Sequence, residues 1–146
     1  MSEGRSVVVT GAGHGLGAAI SRSAAAAGWV VGVLDREAGA ATQVAREIGG
    51  SAVPLVADTT SEAQVEAALD AFAAATGFEA PHGLVANAGI VRFGPLTALD
   101  LEDWRAVVDV NLTGTFVTAR AVARRMAAAG TGGSMVTVTS MNGVAP

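Results

Sequence analysis

The sequence predicts a doubly wound α/β fold, a parallel sheet with helices on both faces. Three observations carry this expectation. Short β-branched runs alternate with helix-length periodic stretches along the chain, the pattern of repeated βαβ units. The runs are almost continuously apolar, as strands covered on both faces must be. A glycine-rich stretch, TGAGHGLG at residues 10–17, stands between the first run and the first helical stretch.

Each element has a local reason. SVVVT at residues 6–10 reads as a buried strand, and GLGAAISRSAAAAG as a helix stopped by Gly28. WVVGVLD at residues 29–35 is a second strand, followed by a helix over residues 38–48 that Gly49 and Gly50 end. Residues 52–57 form a third strand. Ser61 opens another helix with Gln64 three residues on, a capping-box spacing, and Gly77 ends it after about Thr76. GLVANAG at residues 83–89 is a short fourth strand and turn. Asp100 caps a long helix reaching about Ala129, GTGG breaks it, and SMVTVTS at residues 134–140 is a fifth strand. Right-handed crossovers place the helices on both faces. Alanine in those helices lets them lie close to the sheet.

The long helix carries two apolar stripes. One runs through Leu101, Trp104, Val108, Leu112, Thr115, Ala119, Val122 and Met126, and the other through Val107, Val110, Gly114, Val117 and Ala121. One stripe is expected to face the sheet and the other a further part of the fold or another subunit.

Composition excludes several classes of function. A chain of 146 residues fits one domain, here 1–146, and buries enough surface to fold without metal or disulfide. There is no Cys, and two His without matching carboxylates do not suggest a metal site. All nine basic residues are Arg, scattered apart from Arg124 and Arg125, and the net charge is −4, so no nucleic-acid footprint is visible. No apolar run approaches the ~20 residues of a membrane span. The opening MSEGRS carries no signal-peptide core, and the expectation is a cytoplasmic protein.

The glycine-rich turn points to a dinucleotide. Glycines at Gly11, Gly15 and Gly17 permit positive φ and let a pyrophosphate approach the backbone, while the helix N-terminus offers free N–H groups. Asp35 ends the second strand 18 residues after Gly17, near the offset of an acid that binds the adenine ribose. It could equally cap the helix that follows, and the two roles are compatible. His14 reads as an exposed loop residue near phosphate. His82, beside Pro81, reads as a surface residue.

The spacing Thr-Gly-three residues-Gly-one-Gly resembles the short-chain dehydrogenase/reductase family. Four further segments agree in order: ADTT at residues 57–60, NAG at 87–89, DVNLTG at 109–114 and TSMNG at 139–143. The resemblance covers the whole chain and implies a Rossmann-type fold with strand order 3-2-1-4-5. It places the cofactor against Gly11, His14, Gly15, Leu16 and Gly17 in the first turn. Asp35, Arg36, Asp58 and Thr59 follow at its adenosine end, and Asn87, Ala88 and Gly89 beyond the fourth strand. Asn111 and Ser140 fall at the family's catalytic Asn and Ser. Each has a plainer alternative: Asp58 starting a turn, Asn87 satisfying backbone groups, Asn111 a solvated helix residue, Ser140 a strand-end turn.

The implied reaction is hydride transfer between a nicotinamide cofactor and a small alcohol or ketone. NAD is expected over NADP, because Asp35 can accept from a ribose 2′-OH but repels a 2′-phosphate, although Arg36 could soften that preference. In the family a Tyr is the acid/base, and a Lys in a YxxxK motif lowers its pKa. A free phenol near pKa ~10 is a weak base at neutral pH. This chain has neither Tyr nor Lys. In the family YxxxK follows the serine, so the expectation is the amino-terminal, cofactor-binding portion of a longer enzyme. The apolar fifth strand would then be an edge that further strands cover. A homo-oligomer, dimer or tetramer, built on the long helix is also expected from the family. A non-catalytic dinucleotide-binding or regulatory module is the competing reading. An S-adenosylmethionine methyltransferase ranks last, since it does not explain the later motifs.

Overall fold

The computed structural model describes residues 4–140. Five parallel strands form one sheet in the expected order β3-β2-β1-β4-β5. They are β1 Ser6–Thr10, β2 Val30–Asp35, β3 Ala52–Val56, β4 Gly83–Ala86 and β5 Ser134–Thr137. The helices are α1 Gly15–Ala26, α2 Ala38–Ile48, α3 Glu62–Thr76, α4 Leu101–Val108 and α5 Thr115–Ala129.

Strand alternation sorts the core into two layers. Val7 and Val9 of β1 join Val31 and Val33 of β2 under Ala18 of α1 and Ala41, Val44 and Ala45 of α2. Val8, Leu34, Leu55 and Leu84 point the other way, against Val65, Leu69 and Phe72 of α3 and Val117, Val122 and Met126 of α5. Each such side chain contributes about 1.5–3 kcal/mol by leaving water. Gly32 sits opposite Val8 in the register, and a Cβ there would stand 2.9 Å from Leu55, 3.0 Å from Val8 and 3.1 Å from Phe72. The space of its missing side chain is therefore filled by Leu55, Val8 and Phe72, and β1, β2, β3 and α3 interlock at one point.

Coverage on both faces holds for β1, buried throughout, but not at the sheet's edges. All four residues of β5 are exposed, and Val56 on β3 is half exposed. β3 also carries Pro54, tolerated because an edge strand can spare a ladder donor.

Local capping differs from the expected pattern in two places. Ser61 Oγ does accept from the Gln64 N–H, but Gln64 Oε1 accepts from Asp58 N–H at 2.8 Å instead of turning back to Ser61. Asp100 occupies the N-cap of α4 without a side-chain cap bond.

The largest departure lies in the long helix. It is not one α-helix: a π-helical segment, Asp109–Gly114, separates α4 from α5. Bonding from i to i+5 widens the turns and rotates the face presented on either side. The first apolar stripe is therefore split. Leu101, Trp104 and Leu112 are 60%, 55% and 68% exposed, whereas Val122 and Met126 of the same stripe are buried. α5 buries members of both stripes together, Val117 and Ala121 beside Val122 and Met126.

Two expectations about polar residues also change. The arginines of α5 are organised: Arg120 and Arg124 meet Glu62, and Arg125 meets Glu66 and Asp70 of α3. Burial alone would lower the Arg125 pKa, but the two carboxylates outweigh it and the net direction is upward. His82 is not a surface residue. Its Nδ1 accepts from Ser6 N–H at 3.3 Å and lies 3.1 Å from Ser6 Oγ, while its ring stands edge-on to Phe78. It is a half-buried strut between the starts of β1 and β4.

Candidate active-site cleft

β1 feeds α1 on one face of the sheet, and β4 leads toward α5 on the other. Where the connections diverge, the carboxyl ends of the strands leave a crevice, the usual ligand position in open α/β sheets. A cleft of about 400 Å³ opens there. Gly11, His14 and Gly15 line it from the first turn, Asp35, Arg36 and Glu37 from the end of β2, and Ala57, Asp58 and Thr59 after β3. Asn87, Ala88, Gly89 and Ile90 close it beyond β4, with Val110 behind.

The three expected glycines divide their work. Gly15 has φ +50°, and a Cβ on it would meet nothing within 4 Å, so its open side faces the cleft. Gly11 has φ +61°, and a Cβ there would press on Ala88 Cα at 2.8 Å. Gly17 does not line the cleft. A Cβ on it would run into the Gly11 carbonyl oxygen and stand 2.6 Å from Asn87 Nδ2. Gly11 and Gly17 thus let α1, the first turn and the turn after β4 close on one another. Leu16 is 58% exposed and does not line the cleft either.

The opening of α1 suits an anion. Its first turn contains no acid, and His14 at the N-cap makes no side-chain cap bond. Its first N–H groups have no partner within the helix, and the dipole adds partial positive charge.

Asp35 is fixed at both oxygens. Oδ2 accepts from Gly13 N–H at 2.9 Å and Oδ1 from Glu37 N–H at 3.0 Å. The N-cap of α2 is Glu37, so Asp35 does not take that alternative role. A carboxylate has about four lone-pair sites, which leaves acceptor capacity toward the cleft. His14 is exposed as expected, with Nε2 3.4 Å from Glu37 Oε2 across the mouth.

Asp58 lines the cleft and takes the plainer role foreseen for it, starting a turn. Its Oδ1 accepts from Thr60 Oγ1 at 2.7 Å and Thr60 N–H at 2.9 Å, which builds the turn before α3. Those two bonds hold its pKa below the ordinary carboxylate value, the Thr60 hydroxyl first; burial opposes them and Arg36 adds to them.

Asn87 satisfies backbone. Its Nδ2 donates to Thr10 O at 3.0 Å and Gly11 O at 3.2 Å. Thr10 Oγ1 accepts from the Asn87 and Ala88 N–H groups, both at 3.0 Å. Thr10 was not among the expected site residues, although it opens the TGAGHGLG stretch. Gly13 and Ile90 were missed as well. Asn111 lies in the π segment, where its Oδ1 accepts from Ile90 N–H at 2.8 Å and its Nδ2 donates to Ile90 O at 2.9 Å. Its amide clamps the loop leaving β4 and is not a freely solvated group. Ser140 lies three residues past β5, and β5 pairs with β4 from Gly83↔Ser134 to Ala86↔Thr137. Residues 141–143 of TSMNG lie outside the described residues. Among the described residues no cluster of His, Cys, Asp and Glu could hold a metal, and no helix is long and apolar enough to cross a membrane.

This geometry has close relatives. D-threitol dehydrogenase of Mycolicibacterium smegmatis is 38% identical over 141 residues, 94% of this chain and 53% of that protein. A short-chain type dehydrogenase/reductase from Mycobacterium marinum superposes with a TM-score of 0.90 at 38% identity, over 96% of this chain and 56% of that one. A 3-ketoacyl-(acyl-carrier-protein) reductase from Brucella melitensis, complexed with NADH, gives a TM-score of 0.91 at 31% identity, covering 99% and 60%. The chain spans about half the length of the curated relatives it matches. The short chain dehydrogenase family model matches from residue 5 to residue 146, and together with these similarities it makes the chain a member of that family.

Proposed function

We propose that the cleft binds a nicotinamide dinucleotide, NAD in preference to NADP, in an oxidoreductase acting on a small alcohol or ketone. The observation that carries the reading is Asp35 at the end of β2, held by Gly13 N–H and Glu37 N–H across from an uncapped helix N-terminus. The pyrophosphate would lie against Gly11, Gly15 and the start of α1, and the adenosine between Asp35, Arg36, Asp58 and Thr59. The open side of Gly15 is a cradle that a side chain would fill, and it fits that placement. The bound cofactor supplies hydride chemistry. Asn87 ties the turn after β4 to the glycine-rich turn and Asn111 holds the loop at Ile90, which would border its far end, and Ser140 would orient a substrate oxygen. In this reading residues 1–146 are a dinucleotide-binding domain of a cytoplasmic homo-oligomer.

Titration calorimetry with NAD, NADP and ADP-ribose tests the reading. Micromolar to millimolar binding of NAD and ADP-ribose is expected, and no binding of any of the three would remove it. One observation favours a non-catalytic dinucleotide-binding module for the 146 residues taken alone: they contain no Tyr and no Lys. Binding without turnover distinguishes that case.

A further inference from the structure

Gly114 ends the π segment with φ −63° and ψ −39°, ordinary helical values. Nothing in its backbone needs glycine, and glycine inside a helix is less stable there than alanine. Its neighbour supplies the reason. A Cβ on Gly114 would stand 2.6 Å from Thr59 Oγ1 and 3.1 Å from Thr59 Cβ. The hydroxyl takes most of the overlap, and behind it the Cβ, which moves only with its backbone, must give by a few tenths of an ångström. Thr59 is 7% exposed and borders the cleft with Ala57 and Asp58. The same π segment reaches the cleft at two further points, through Val110 in its wall and Asn111 on Ile90.

We propose that Gly114 is a positioning residue for the adenosine end of the cleft, setting through Thr59 where the wall at residues 57–59 stands. The proposal rests on the dinucleotide reading given above. A methyl at position 114 pushes that wall, and a well-packed contact of this kind yields by shifting backbone. Gly114 itself touches no ligand. Its effect therefore falls on ligands that carry adenosine and spares nicotinamide mononucleotide.

The test uses the protein as its gene encodes it, with Gly114→Ala, Thr59→Ala and the double variant. ADP-ribose affinity is measured by calorimetry and amide hydrogen exchange without ligand by mass spectrometry. Gly114→Ala is expected to weaken ADP-ribose about tenfold, with faster exchange across residues 57–60. Adding Thr59→Ala removes the 2.6 Å contact and leaves only the milder 3.1 Å one at Cβ, so the double variant should come to within about threefold of Thr59→Ala alone. Unchanged affinity and exchange in a folded Gly114→Ala overturn the proposal, as does a loss that Thr59→Ala does not relieve. If Gly114→Ala does not fold, the comparison of Thr59→Ala with the double variant decides by the same criterion. Should the unmutated protein bind no adenosine ligand, the dinucleotide reading fails separately. The contact between Gly114 and Thr59 is then judged by the exchange data alone.

Discussion

Gly17→Ala isolates the role of the first turn in holding α1 against the turn after β4. The new methyl meets the Gly11 carbonyl oxygen and Asn87 Nδ2, and neither can retreat freely. Gly11 is wedged against Ala88, and Asn87 Nδ2 is already committed to Thr10 O and Gly11 O. Overpacking against backbone costs about 3 kcal/mol, at the upper end of the usual range. Loss of the two Asn87 bonds adds about 0.5–1.5 kcal/mol each. Alanine returns up to ~1 kcal/mol through its better helix propensity. The net loss is about 3–5 kcal/mol, or roughly 6–20 °C in Tm for a domain of this size. Gly15→Ala is the control. Its methyl meets nothing, so only the positive φ is penalised, by about 1–2 kcal/mol. Thermal unfolding followed by circular dichroism measures both. A Tm for Gly17→Ala within 2 °C of the unmutated protein (roughly 1 kcal/mol or less), or above that of Gly15→Ala, would refute the packing account.

Other outcomes follow from the same geometry. Gly15→Val is expected to weaken dinucleotide binding far more than His14→Ala, since it fills the open side of the cradle; the reverse order in titration would show that the loop has been read backwards. Asp35 is expected to favour NAD over NADP: two unit charges at ~4 Å and effective dielectric ~20 interact by about 4 kcal/mol, reduced by solvent to ~1–3 kcal/mol or about five- to 150-fold. Asp35→Ala should erase that ratio, and equal affinities for NAD and NADP in the unmutated protein would remove the assignment. Asp58 has a depressed pKa when folded, so its stabilising contribution is present above its unfolded value and lost as pH falls through the folded one. Asp58→Asn should flatten the acid limb of the Tm–pH curve below about pH 4, and an unchanged limb counts against it. A chain of these 146 residues should turn over no secondary alcohol or ketone in an NADH absorbance assay, because it holds no Tyr or Lys for proton transfer worth ~10²–10⁴ in rate.

The sequence was most legible where a short-range rule decides the structure. Ser6–Thr10 and Ala38–Ile48 fall at their expected bounds, because an apolar β-branched run and a helix between breakers need only near neighbours. The cleft was legible for a related reason. Strand order and the C-terminal strand ends bring the glycine-rich turn, Asp35, Asp58 and Asn87 together whatever their side chains do. What the sequence hid depends on partners far along the chain. Ser6 and His82 are 76 residues apart, and nothing at either position announces the other. The bond from Asn87 N–H to Thr10 Oγ1 spans 77 residues.

The π segment was hidden differently. DVNLTG has no proline, and its apolar spacing continues a plain α-helix, so periodicity passes over it. The clue was a cost without a local return. Asn111 and Gly114 are both poor choices inside a helix. Each is explained only by a contact outside the helix, Asn111 by the Ile90 backbone and Gly114 by Thr59. Both contacts are with residues that border the cleft. Local violations of propensity in this chain thus fall where the helix has to meet the site. Where those widened turns begin, α4 buries no residue, and Leu101, Trp104 and Leu112 stand in solvent. One six-residue irregularity therefore joins the back of the cleft to the apolar face on the outside of the fold.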